Sequence, residues 1–134
     1  MEAKVSKEVA NKEVEKWLDY KKVDEVKRTD SVDSIEALAK AIESGNLSFD
    51  SKEHVFKQKL KWPIGEGEAI KELIYKARLT MNDVHLRTKN VKSGDAHGLI
   101  TAYICALTEQ NSGVIGCLDT EDNRIAQSIA TFFL

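Results

Sequence analysis

Phe56-Lys57-Gln58-Lys59-Leu60-Lys61-Trp62 alternates apolar side chains with lysines. A period of two is the mark of a β-strand with one face buried and the other wet. Pro63 has no N–H to give to a ladder, so it marks the end of that strand or an edge. Gly65-Glu66-Gly67-Glu68 reads as a turn, and Ile70 to Arg78 supplies a second strand with Leu73, Tyr75 and Ala77 facing one way. The two runs predict a β-hairpin. A lone hairpin is marginal in water, so its apolar face requires helices or a partner chain against it.

On the N-terminal side the period changes to that of a helix. Val5, Val9, Val14, Trp17 and Leu18 recur at helical spacing over residues 4–20, among many Lys and Glu. Residues 21–31 carry only Val23 and Val26 as apolar members and read as a linker or frayed turn. Asp33-Ser34-Ile35-Glu36 has the form of a capping box, ahead of a stripe of Ile35, Leu38, Ala39 and Ile42. Gly45-Asn46 supplies the stop.

On the C-terminal side, Thr80 to Asp83 forms a second capping box before a short segment with Val84 and Leu86. Asp95 stands where it can cap a helix over Ala96 to Gln110 that is apolar around much of its circumference, as buried helices are. Asp119-Thr120-Glu121-Asp122 places acid in the first turn of a last helix, favourable to its dipole. Ile125, Ile129, Phe132 and Phe133 follow as its apolar stripe. The expected class is α+β: an N-terminal helical pair, a β-hairpin, then a C-terminal bundle of about three helices. The expected division is a helical extension over 1–52 and a domain of hairpin plus helices over 53–134.

The composition limits what the chain does. With 134 residues, 42% hydrophobic and 31% charged, it can build one core and is not disordered. Net charge is −2, and residues 1–78 hold 16 Lys/Arg against 16 Asp/Glu, so neither half has the basic excess that phosphate binding demands. No nucleic-acid partner is expected. The longest apolar stretch is too short to cross a bilayer, and Met1-Glu2-Ala3-Lys4 lacks the apolar core of a secretory signal. No membrane partner is expected either, and the location read from this is cytoplasmic. Cys105 and Cys117, each in an apolar stretch, read as small core residues.

Catalytic chemistry finds no foothold in the pattern. His54, His85 and His97 are far apart and lack metal-ligand spacing. Gly65-Glu66-Gly67 lacks the length and the lysine of a phosphate loop, and Asp119, Glu121 and Asp122 lack calcium-loop spacing. No serine sits on a nucleophile elbow. The expectation is a protein with no catalytic residues, no metal and no cofactor, acting by binding another protein.

One ordered set of features runs from Phe56 to Leu134. A strand ends in Pro63-Ile64, the turn Gly65 to Glu68 follows, and Ile70-Lys71-Glu72-Leu73 continues through Lys76-Ala77-Arg78 to Thr80 and Asp83. An apolar helix around Leu99 to Leu107 then leads to Leu118-Asp119, Asp122, Ile129 and Phe132-Phe133-Leu134. This region resembles the tail assembly chaperone family of tailed bacteriophages. The resemblance implies a non-enzymatic factor that binds the tape measure protein, keeps it soluble during tail assembly and is absent from the finished particle. It also implies a longer frameshifted form in many members, and the Phe132-Phe133-Leu134 codons can be written as a slippery run. Residues 1–55 have no counterpart in that pattern.

A chaperone of long helices needs an apolar surface that accepts amphipathic segments. The candidate partner-binding residues are Phe56, Leu60 and Trp62 on the hairpin and Ile129, Phe132 and Phe133 at the C-terminal end, the last group also a possible seam for self-association. The same residues are what a small domain would use for its own core. Two other readings compete: a phage or prophage regulatory module that dimerises through its C-terminal helices, and a minor virion structural protein.

Overall fold

The computed structural model describes residues 5–134. Helix α1 (Lys7–Lys21) starts at Ser6, whose hydroxyl accepts the Val9 N–H at 3.2 Å, and ends where Lys22 turns left-handed at φ 58°. Its buried stripe is Ala10, Val14, Trp17 and Leu18, one helical face. Val5 and Val9, expected on that stripe, stand off it and are exposed. Residues read as a linker contain a short helix, α2 (Glu25–Asp30), which buries no side chain and so leaves no periodic trace. Asp24 caps it, and Arg28 ties it back by donating to Asp19 and to the Val23 carbonyl. Helix α3 (Val32–Glu43) begins one residue before the expected cap. Asp33 therefore lies inside the first turn, and no side chain caps α3.

Three strands follow, not two. β1 (Leu47–Asp50), β2 (Val55–Ile64) and β3 (Ile70–Tyr75) form an antiparallel sheet in the order β1-β2-β3. Leu47 pairs with Gln58 and Phe49 with Phe56, so β1 repeats the inward face of β2. At four residues its alternation is the shortest that can be recognised. Pro63 does not end β2. The pairing jumps from Lys59↔Glu72 to Ile64↔Ile70, so residues 60–63 oppose Lys71 alone and form a bulge. A bulge tolerates a residue without an N–H.

The three expected C-terminal helices are α4 (Met81–Thr88), α5 (Ala96–Thr108) and α7 (Thr120–Ala130); a short α6 (Ser112–Ile115) that was not expected lies between the last two, and a 3₁₀ turn at Thr131–Phe133 ends the chain. The architecture is α+β, with helices on both sides of the sheet in sequence. Thr80 and Asp83 form a full capping box on α4 and Asp95 caps α5, both as expected, while Asp119, read as part of an acidic first turn, is the cap of α7.

One core serves the described residues. Trp17 of α1 lies 4.7 Å from Phe56 of β2 and 5.5 Å, edge-on, from Phe132. Leu38 and Ile42 of α3, Leu73 of β3, Ile104 and Leu107 of α5 and Ile129 of α7 join the same cluster. The residues on either side of position 52 thus share a core, and the N-terminal helices are built into it. Burying such side chains is the main drive for folding at about 25 cal/mol per Å² of apolar surface.

Candidate partner-binding surface

The bulge in β2 is held by a side chain from far along the chain. Asp122, on the first turn of α7, is fully buried. Its carboxylate accepts the Lys61 and Trp62 backbone N–H groups at 3.0 and 3.1 Å. These amides lie past the end of β1, where no strand serves them, and a buried N–H without an acceptor is costly. The Asp122 carbonyl accepts from Gln58 Nε2 at 2.9 Å, and the Tyr75 hydroxyl donates to Gln58 Oε1. Every polar member of this buried chain thus has a partner. Burial first, and the Asp122 charge second, push the Tyr75 phenol far above its ordinary value. The sequence reading of Asp122 as one more acid in a helix start missed this role. Asp119 already caps α7, by accepting the Glu121 N–H at 3.0 Å, and that surplus of acid is the only local sign.

This anchoring sets which predicted contact residues reach the surface. Phe56 (1% exposed), Leu60 (4%), Ile129 (0%) and Phe132 (7%) belong to the core and present no surface. Phe133 is half-buried, its ring covered by the Lys21 ammonium at 3.4 Å from the centroid. Burial, and then the Arg78 charge, lower the Lys21 pKa to about 8. Trp62 differs from its strand-mates at 49% exposed, because the bulge breaks the alternation that buries Phe56, Gln58 and Leu60. Of the six, Trp62 alone offers a large apolar surface.

Other exposed apolar side chains lie on the α4–α5 unit, where sequence reasoning had not looked. Helix α4 has no buried residue, and Met81 (83%) and Leu86 (67%) are among the most exposed large apolar side chains of the described residues. The unit is fastened to β3 by Lys76. Its backbone N–H donates to the Leu107 carbonyl at 2.9 Å, and its ammonium bridges Asp83 at 3.5 Å and Glu109 at 3.1 Å. The hydrogen bond to Glu109 is the main cause that raises the Lys76 pKa. Arg87 closes the other end by donating to the Gln110 carbonyl at 2.9 Å.

Between α4 and α5 runs an open groove of about 510 Å³, lined by Leu86, Arg87, Val91, His97, Ala102 and Cys105 among others. The Cys105 thiol is raised by burial, with the Arg87 charge pulling the other way. Cys117, expected in the core, is exposed in the turn before α7, where its thiol donates to the Gly113 carbonyl. Among the described residues no group of three His, Cys, Asp or Glu is placed to hold a metal ion, and no helix is long and apolar enough to cross a membrane. No family model matches the chain, and no curated protein or solved structure matches it.

Proposed function

We propose that this chain is a non-enzymatic assembly chaperone of the tailed-phage kind, which binds the tape measure protein and keeps it soluble while a tail is built. The observation that carries the reading is the α4–α5 unit: an open groove with Leu86, Val91, Ala102 and Cys105 in its lining, beside a helix with no buried residue. A helix-in-groove contact needs such a feature, since an amphipathic segment hides its apolar face only against another apolar surface. Trp62 adds a second exposed apolar contact, of the residue type that most often anchors protein interfaces. In this reading the protein acts in the host cytoplasm and leaves before the particle is complete.

The rival regulatory module was to dimerise through the C-terminal helices. Ile129 and Phe132 lie in the core, which leaves that seam without its main apolar residues. Co-expression with a tape measure protein, the long helical partner this reading requires, tests the proposal. The partner is expected to stay soluble and to co-purify, and purified particles are expected to lack this chain by mass spectrometry. A partner that remains insoluble and unbound in the presence of abundant folded chain removes the chaperone function. Retention in the particle assigns the chain to the virion instead.

A further inference from the structure

Helix α4 is attached to the fold by very little. None of its residues is buried, and Met81, Val84 and Leu86 all stand outside the core cluster. Among the described residues, every backbone hydrogen bond of residues 77–94 is made within residues 77–96, so no ladder or neighbouring helix holds this stretch by its main chain. Two polar side-chain ties reach out of it. Asp83 meets the Lys76 ammonium, which Glu109 at the end of α5 also grips, and Arg87 donates to the Gln110 carbonyl. Residues 76–80 and 89–95 on either side are irregular, and Gly94 turns left-handed at φ 85°. Leu79 packs on the core and marks where the loosely held stretch begins.

What lies beneath is better packed. Gly98, Thr101, Ala102 and Cys105 recur at helical spacing on the face of α5 that lines the groove, opposite Leu86 and Arg87. Ala102 and Cys105 are buried, and Cys105 belongs to the core cluster.

We propose that α4 is a hinged cover: it swings off α5 as a unit while the core stays folded, exposing the Ala102–Cys105 face, and the Lys76 clamp sets how often it opens. A helix that contributes no buried side chain is drawn from the low-stability end of a fold, and irregular segments at both ends absorb its displacement. The inference stands on the packing of α4 alone and does not depend on the chaperone reading.

The test follows the Cys105 thiol in the full chain carrying Cys117→Ser, which removes the exposed second thiol and leaves Cys105 as the one cysteine. Dithiobis(nitrobenzoate) labels a thiol only when it is reachable. Labelling is expected to be slower than that of a free thiol, yet flat across low urea, because a local opening exposes little new surface. Lys76→Met should speed it about three- to tenfold by releasing both ion pairs, and Glu109→Gln should speed it less. Amide exchange should quicken in α4 and not in α5. Lys61→Met, which breaks the exposed pair with Glu121 elsewhere, should leave the rate unchanged. Asp122→Ala, which weakens the core, should leave it within about twofold, since the opening does not pass through the unfolded state. A labelling rate that climbs steeply with urea and with Asp122→Ala overturns the proposal, because Cys105 is then reached only by global unfolding. Immediate labelling overturns it too, since α4 then covers nothing. So does a rate that neither Lys76→Met nor Glu109→Gln alters.

Discussion

Asp122→Ala is the sharpest probe of how this fold is held. The substitution deletes the acceptor for the Lys61 and Trp62 amides but leaves the Asp122 carbonyl for Gln58. Each buried or part-buried N–H left without a partner costs about 1–2 kcal/mol. Removing a buried carboxylate returns some desolvation energy, so the net loss should be about 2–3 kcal/mol. That is a large share of the roughly 5–15 kcal/mol by which such domains are stable, yet it leaves the variant folded. Two neighbours calibrate it. Asp119→Ala removes only the α7 cap and should cost about 1 kcal/mol. Glu121→Ala removes an exposed contact to Lys61 and should change stability by less than about 0.5 kcal/mol. Urea unfolding followed by tryptophan fluorescence gives the three values, compared at constant slope. Amide hydrogen exchange at Lys61 and Trp62 should quicken in Asp122→Ala well beyond the global change. A stability within about 0.5 kcal/mol of wild type, or unchanged exchange at those two amides, would refute the bulge argument.

The two tryptophans should behave as opposites: Trp17→Ala is expected to cost about 3–5 kcal/mol in the same urea assay, and Trp62→Ala less than about 1 kcal/mol while weakening partner capture. Lys21 should titrate near pH 8 by side-chain NMR, and Arg78→Gln should move that value upward. Because its folded pKa is depressed, Lys21 opposes folding at neutral pH, and the protein should gain stability as pH rises from about 8 toward the unfolded lysine value; a flat profile there counts against its burial. For Asp83 the folded pKa is lowered, chiefly by the Thr80 N–H, so its contribution is present above the unfolded value and lost as pH falls through the depressed one. Acid should therefore fray α4 early, seen as faster exchange of its first-turn amides, and Asp83→Asn should bring that fraying to neutral pH.

Much of the local structure was legible in the residues. Thr80, with Asp83 in the first turn completing its capping box, and Asp95 and Asp119 cap the helices they precede, because a cap is an interaction over two or three residues and needs nothing else in place. The inward faces of β2 and β3 followed from their period of two, through Phe56, Leu60, Leu73 and Tyr75. The same logic misplaced the start of α3, where Ser31 and Val32 precede a sound-looking acid pair that the helix does not use as a cap. Helix α2 buries nothing, so it carried no periodic mark.

The candidate surface was less legible. A stripe of apolar residues shows that a face is covered, and it is silent on whether the cover is the chain itself or a partner. Phe132 and Ile129 meet Trp17 and the helices in one core, while Trp62, drawn from an equally regular pattern, is turned outward by the bulge.

The chain's residues were therefore enough to establish an α+β protein with capped helices and an amphipathic pair of strands, since those features depend on neighbours within a turn or a pleat. The third strand, the shared core of the N-terminal helices, the exposure of Trp62 and the groove beside α4 required the folded whole. Each depends on contacts such as that of Asp122 with Lys61, 61 residues apart, whose partners are chosen by three-dimensional packing and leave no spacing in the sequence to read.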